Sequence, residues 1–204
     1  MEGELNMATI GSEFKSSGIT ENTPKTIMLG AGTIHKGLTF SESAWNFEES
    51  LLCATSGGSK LSIVPEFYDV PVDGANVKVK GLTAKVGETA TLEINPIELT
   101  PDILKMALIG DEAAAEDATG YNEIKSRATI QQGDYVTKLG YVGKTIEGKP
   151  IIIIFDNALC TSGLELEGKN KEAAVPAFTF ECFADLSPEA DTLPWHIYYP
   201  TPEA

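Results

Sequence analysis

Leu51–Leu82, LLCATSGGSKLSIVPEFYDVPVDGANVKVKGL, is the stretch on which the reading of the whole chain turns. Its first residues close a helical segment from Asn46 to Ala54, with Asn46 placed to cap it and Glu49 placed to reach back. Ser56-Gly57-Gly58 ends that segment. Lys60 to Val70 then reads as a strand, and Pro65, lacking an N–H for a ladder, puts it at a sheet edge or on a bulge. In Val70-Pro71-Val72-Asp73-Gly74-Ala75-Asn76 the Asp-Gly pair favours a tight turn. Val77 and Val79 alternate with Lys78 and Lys80, which predicts a second strand. Nothing in the stretch is arranged for chemistry; it predicts a scaffold presenting a loop.

Working outward, residues 1–24 are polar and without periodicity, and predict an N-terminal arm. Thr26–Leu29 and Thr33–Leu38 are short β-prone pieces around Gly30-Ala31-Gly32. Downstream, Val86, Ala90, Leu92 and Ile94 share one strand face while Thr89, Thr91 and Glu93 share the other. Pro101–Ile109 predicts the one substantial helix. Thr100 caps it, Pro101 opens it, Leu99 and Leu104 are spaced as a staple, and Gly110 ends it. Its apolar stripe is Ile103, Leu104, Ala107 and Leu108.

The acidic, Ala-rich run from Asp111 to Gly120 predicts a loop. Residues Asn122 to Ile130 alternate, and the short Gln131–Asp134 connection predicts a hairpin with Tyr135–Val142. Ile151–Phe155 has no alternation, as expected of a central strand covered on both faces. Phe178–Cys182 predicts a half-buried strand, Ser187-Pro188-Glu189 a helical turn, and Trp195–Tyr199 a short aromatic strand. The sum is about nine strands and one real helix. That predicts a mostly β fold, an antiparallel β-sandwich or barrel with one flanking α-helix, spanning 25–186, with a C-terminal arm over 187–204.

Composition narrows the function. Thirty acidic against fifteen basic residues leave a net charge of −15 over 204 residues. A surface this negative argues against gripping nucleic acid, because phosphate binding needs Lys and Arg to displace counterions. No run of about 20 apolar residues is present, so membrane insertion is not expected. The N-terminus lacks the basic and apolar regions of a signal peptide, and the three cysteines are odd in number and widely spaced. Both features predict synthesis in a cytosol with reduced, buried thiols.

Chemical motifs are weak. Gly30-x-Gly32 lacks the third glycine and the helix of a dinucleotide site, since His35 stands where that glycine belongs. Gly143-Lys144-Thr145 lacks the earlier glycine of a P-loop, the position being Lys138. His35 and His196 have no ligand-spaced partners. No enzyme activity and no cofactor are expected.

Four stretches carry a family resemblance: PKTIMLGAGTIHKG at 24–37, ATSGGSK at 54–60, VPEFYDVPVDGANVKVKG at 64–81 and LTPDILKMAL at 99–108. This order resembles the major tail tube proteins of long-tailed bacteriophages, over roughly the first 110 residues. The resemblance implies a virion structural protein. Six copies form a ring, rings stack into a hollow tube, and DNA passes through without specific binding. It implies tape-measure, tail terminator and baseplate proteins as further partners, and location in the virion tail after assembly in the host cytoplasm. The loop at Val70, Pro71, Val72, Asp73 and Gly74 becomes the expected contact between rings. The acids expected to line the lumen or rim are Glu88, Glu93, Asp111, Glu112, Glu116, Asp117 and Glu123, where like charge would keep DNA from adhering. Two rivals stay open: a tube of a related phage-like particle such as a tailocin or secretion machine, and a β-sandwich binding or adhesin module using exposed aromatics such as Trp195, Tyr198 and Tyr199.

Overall fold

The computed structural model describes residues 17–187 and 191–201. Most of the expected N-terminal arm, and the turn expected at Ser187-Pro188-Glu189, lie outside the described residues. The chain is mostly β; among the described residues all strand pairing is antiparallel and one helix is longer than a single turn.

In chain order the elements are α1 (Thr23–Thr26), β1 (Met28–His35), β2 (Phe40–Ser41), β3 (Ala44–Trp45), α2 (Phe47–Ser50), β4 (Leu51–Cys53), β5 (Thr55–Asp69) and β6 (Thr83–Pro96). There follow α3 (Pro101–Leu108), β7 (Gly110–Ala114), β8 (Asn122–Ser126), a 3-10 turn (Gln132–Asp134), β9 (Val136–Thr145), β10 (Pro150–Cys160), β11 (Phe178–Cys182) and β12 (Trp195–Tyr198). One eight-stranded sheet runs in the order β4-β1-β9-β10-β11-β6-β5, with β12 beside β10; β2–β3 and β7–β8 form two small hairpins. The large sheet curls, bringing β5 at one end against β1 near the other.

The core follows from β10. Its apolar run has no polar face because both faces are covered: Ile153 and Phe155 join the main core, while Ile152 and Ile154 pack with Leu38, Trp45 and Phe47. On the main side lie Leu92 and Ile94 from β6, Phe178 and Phe180 from β11, and Ile103 and Ala107 from α3. Fully burying each of the Leu, Ile and Phe side chains contributes about 1.5–3 kcal/mol. Past Phe155 the core-facing positions of β10 change parity, to Ala158 and Cys160, and those of β9 change likewise between Leu139 and Val136. Lys138 stands at that change with φ 54°, its ammonium 2.7 Å from Asp156 on the paired strand.

Several elements differ from the sequence expectation. The helix expected over Asn46–Ala54 is one turn, and Asn46 caps nothing with its side chain. Leu51 and Cys53 pair with β1 instead. Ser56-Gly57-Gly58 lies inside β5, where Gly57 and Gly58 take φ near +84° and absorb a shift of register between Thr55 and Ser59. The strand expected at Val77 and Val79 is absent, because β5 pairs with β6 and residues 70–82 are the connection. Pro65 does sit on an edge strand. Val86 is exposed and not on the Ala90 face, since β6 carries an extra residue between Lys85 and Gly87 opposite Glu66–Phe67.

At the helix, Thr100 accepts from the Ile103 N–H, as expected of an N-cap. Its end differs: Ile109, not Gly110, takes the left-handed conformation. Gly110 is required by space, for a Cβ there would stand 2.8 Å from the Lys125 carbonyl oxygen. That contact exists because Asp111–Ala114, expected as loop, is strand β7 paired with β8. The hairpin expected between 122–130 and 135–142 does not form; β9 pairs with β1 and β10. The short aromatic strand expected at Trp195–Tyr199 is present as β12, and it pairs with β10 in the large sheet.

Candidate assembly interface

β5 and β6 are the longest strands, and their last part leaves the body of the fold. Up to Ile63↔Ala90 the ribbon contributes to the core; beyond it the pairs run from Val64↔Thr89 to Asp69↔Thr83. Trp195 marks the edge of the body, its indole N–H donating to Glu88 at 2.6 Å. Glu88 also binds Lys85, and these two donors, Lys85 first, hold its carboxyl below the usual carboxylate range. Past this point no side chain of the ribbon is buried.

The projecting part is nonetheless apolar. Phe67, Tyr68, Val70, Val72, Val77, Val79 and Val86 are all exposed, Val77 at 77%. An isolated two-stranded ribbon is marginal in water, and so many exposed apolar side chains on one projection fit an interaction site. The connection itself is ordered by a few bonds. Val70 N–H donates to Leu82 O at 2.8 Å, closing its base, and Ala75 N–H donates to Val72 O at 3.1 Å around the expected Asp73-Gly74 turn. Gly74 has φ 86°, which a side chain would strain. Asp69 anchors both sides, contacting Lys78 at 2.6 Å and accepting from Thr83 at 2.6 Å; Lys78 first, then Thr83, lowers its pKa. Val70, Pro71, Val72, Asp73 and Gly74 are therefore together and exposed at the end of the ribbon.

The acidic residues nominated from sequence separate into two groups. Glu88 and Glu93 are on β6, and Glu88 is turned to its internal partners. Asp111, Glu112, Glu116, Asp117 and Glu123 are gathered on the β7–β8 hairpin. Three of these five have ion pairs nearby. Asp111 pairs with Arg127, Glu112 with Lys105 at 2.8 Å, and Glu123 with Lys125 at 2.7 Å. Arg127 also binds Asp134, which receives the Gln131 N–H. Glu93, Glu116 and Asp117 have no ion pair among the described residues. The alternation that places an acid on a strand says nothing of a basic neighbour brought over by α3 or residues 127–134, which is why sequence did not separate them.

No reactive constellation accompanies the ribbon. His35 is buried, with Nδ1 2.9 Å from Ser50 Oγ and Nε2 2.8 Å from Thr33 Oγ1. Ser50 donates to Asn46 O at 2.7 Å, so it accepts from His35 Nδ1–H, and Nε2 accepts from Thr33. The network ties α2 to β1 and is closed to a substrate. Cys53, Cys160 and Cys182 are free and buried, as expected. Burial pushes the Cys53 thiol up to about 11 and the Cys182 thiol up to about 12. His196 lies 3.3 Å from Asp156 on the surface. Gly143-Lys144-Thr145 and Gly30-x-Gly32 are both within strands. Among the described residues, no group of three or more His, Cys, Asp or Glu is set to hold a metal, and no helix is long and apolar enough to cross a membrane.

No protein-family model matches the chain, and no curated protein matches it.

Proposed function

We propose that this protein is a structural subunit that self-assembles through the β5–β6 ribbon into stacked rings forming a hollow tube, as its resemblance to phage tail tube proteins implies. The observation that carries the reading is the ribbon. It projects from a well-packed body, is apolar on exposed surface, and has no chemistry beside it. A monomer would keep that surface in water at a cost; an assembly buries it and covers the β5 edge as well. In this reading the chain has no catalytic role and needs no cofactor. Its partners are further copies of itself and the proteins that begin, measure and end a tail, with DNA as cargo in the virion. The net charge of −15 per subunit then acts on DNA in transit, carried to the wall by unpaired acids such as Glu93, Glu116 and Asp117.

A second reading is favoured by one observation. Tyr198 and Tyr199 are exposed beside Trp45, as a β-sandwich binding or adhesin module would present them. Sedimentation velocity separates the two. Self-assembly predicts concentration-dependent species far above the 21.8 kDa subunit, lost on Val72→Asp with Val79→Asp. A wild-type protein that stays monomeric at every concentration overturns the assembly reading and leaves the binding module.

A further inference from the structure

The sequence contains one Asp-Gly pair, Asp73-Gly74, and no Asn-Gly. Both residues stand exposed at the end of the ribbon. Their order matters chemically. An aspartate carboxyl lies within reach of the next residue's amide nitrogen, and glycine places no Cβ beside that nitrogen. Elsewhere the following residue is bulky and the carboxylate is engaged: Val70, Ile103 and Tyr135 follow Asp69, Asp102 and Asp134, each of which is ion-paired. Asp117 is without an ion pair among the described residues but precedes Ala118.

The structure leaves the pair unrestrained. Among the described residues Asp73 has no ion pair or hydrogen bond, and the Gly74 N–H has no acceptor. Lys78, the nearest base in sequence, is committed to Asp69 at 2.6 Å. Apart from its chain neighbours, nothing lies within 4 Å of where a Cβ on Gly74 would stand. One bond spans the turn, from the Ala75 N–H to Val72 O at 3.1 Å, and no side chain of residues 70–82 is buried. A segment held this lightly opens locally at small cost, and rotation of the Asp73 backbone then brings the Gly74 nitrogen onto Cγ.

We infer that Asp73-Gly74 is a site of spontaneous covalent modification, at which the aspartate converts to isoaspartate. The Gly74 amide nitrogen attacks Cγ of the carboxylic acid. The N–Cγ bond forms, the Cγ–O bond breaks, and the hydroxyl leaves with the amide proton as water. One water then opens the five-membered succinimide. Addition at Cγ restores aspartate; addition at the main-chain carbonyl leaves isoaspartate, with the chain running through Cβ and Cγ. The water released is taken up again, so mass and charge are unchanged and no other reactant is needed. The turn gains one main-chain carbon, a change of shape at the tip of the ribbon. In an assembly that uses this loop as its contact, the lengthened turn no longer fits, and a free subunit loses competence as it ages. An assembled subunit, its loop covered, is protected. That consequence rests on the assembly reading; the modification itself does not.

The test ages the full chain at 37 °C as a dilute free subunit. It then maps isoaspartate with an aspartate-specific endoprotease and with isoaspartyl methyltransferase carrying a labelled methyl group. The expected result is an Asp73 peptide that resists the protease and takes the label, both lost in Asp73→Glu, whose longer side chain cannot close the five-membered ring. No isoaspartate at Asp73, or as much at Asp117, overturns the site. Sedimentation of fresh and aged protein then reads the consequence, expected as a loss of assembly on ageing. Equal assembly of the two overturns that consequence and leaves the modified residue standing. Fresh protein that never assembles overturns the assembly reading, while the map still upholds or overturns the site.

Discussion

At the scale of single residues, the most informative side chain is His35. Burial lowers its pKa, and the bonds from Thr33 and to Ser50 suit the neutral ring. The unfolded chain therefore binds a proton near pH 6.5 that the folded chain refuses. Stability is full above that pH and falls as pH drops through 6.5 towards the folded value. The carboxylates with lowered pKa, among them Asp69, Glu88 and Glu112, act only lower, losing their contribution below about pH 4.5. Urea titrations at pH 7 and pH 5 should thus show lower stability at pH 5 in the wild type. His35→Asn, which can still donate to Ser50, should lower stability overall and flatten that difference; an unchanged difference would remove His35 as its source. The cysteines give a second residue-scale prediction. With thiols pushed to about 11 and about 12, Cys53 and Cys182 should resist a disulfide reagent at pH 8 until the fold is opened with denaturant.

At the scale of elements, α3 and β10 carry the clearest energetics. Thr100→Ala removes the cap that holds the Ile103 N–H and should cost about 1 kcal/mol in a denaturant melt, with Thr100→Ser near wild type. Phe155→Ala opens a cavity where both faces of β10 are packed and should cost about 3–5 kcal/mol. These two elements were also the legible ones. Thr100-Pro101 is a helix start because its chemistry is local, and Ile151–Phe155 is central because only a doubly covered strand can be apolar throughout. The alternation of β6 from Ala90 to Ile94 and of β11 was legible for the same reason, one face being buried.

What escaped the sequence is equally physical. Gly110–Ala114 forms β7 with side chains of low strand preference, because backbone pairing with β8 and the ion pairs of Asp111 and Glu112 decide it. Val77 and Val79 alternate like a strand but have no partner, since β6 begins at Thr83 and claims β5. Gly57-Gly58 looks like a stop and is instead a register shift within a long strand. For the candidate interface, the exposed loop and its Asp73-Gly74 turn were legible, whereas the length of the ribbon behind it was not. Nor could spacing reveal that Glu88 is turned inward to Trp195 across 107 residues of sequence.

At the scale of the whole molecule, charge and exposed apolar surface have to be reconciled. A chain at −15 repels its own copies, so the proposed association needs a strong local attraction, the role this reading gives to the ribbon's exposed apolar side chains. If unpaired acids keep DNA off the wall, Glu93→Lys with Glu116→Lys and Asp117→Lys should leave assembly intact and make the assemblies retain DNA in a salt-dependent pull-down. Equal, negligible retention by wild type and variant would remove those acids from the account. Negative-stain microscopy of the purified protein decides whether it assembles. Self-assembly predicts rings or tubes roughly 100 Å across, the width of six single-domain subunits around an axis, and their disappearance in the folded Val72→Asp, Val79→Asp variant. A field of isolated small particles from the wild type would contradict it.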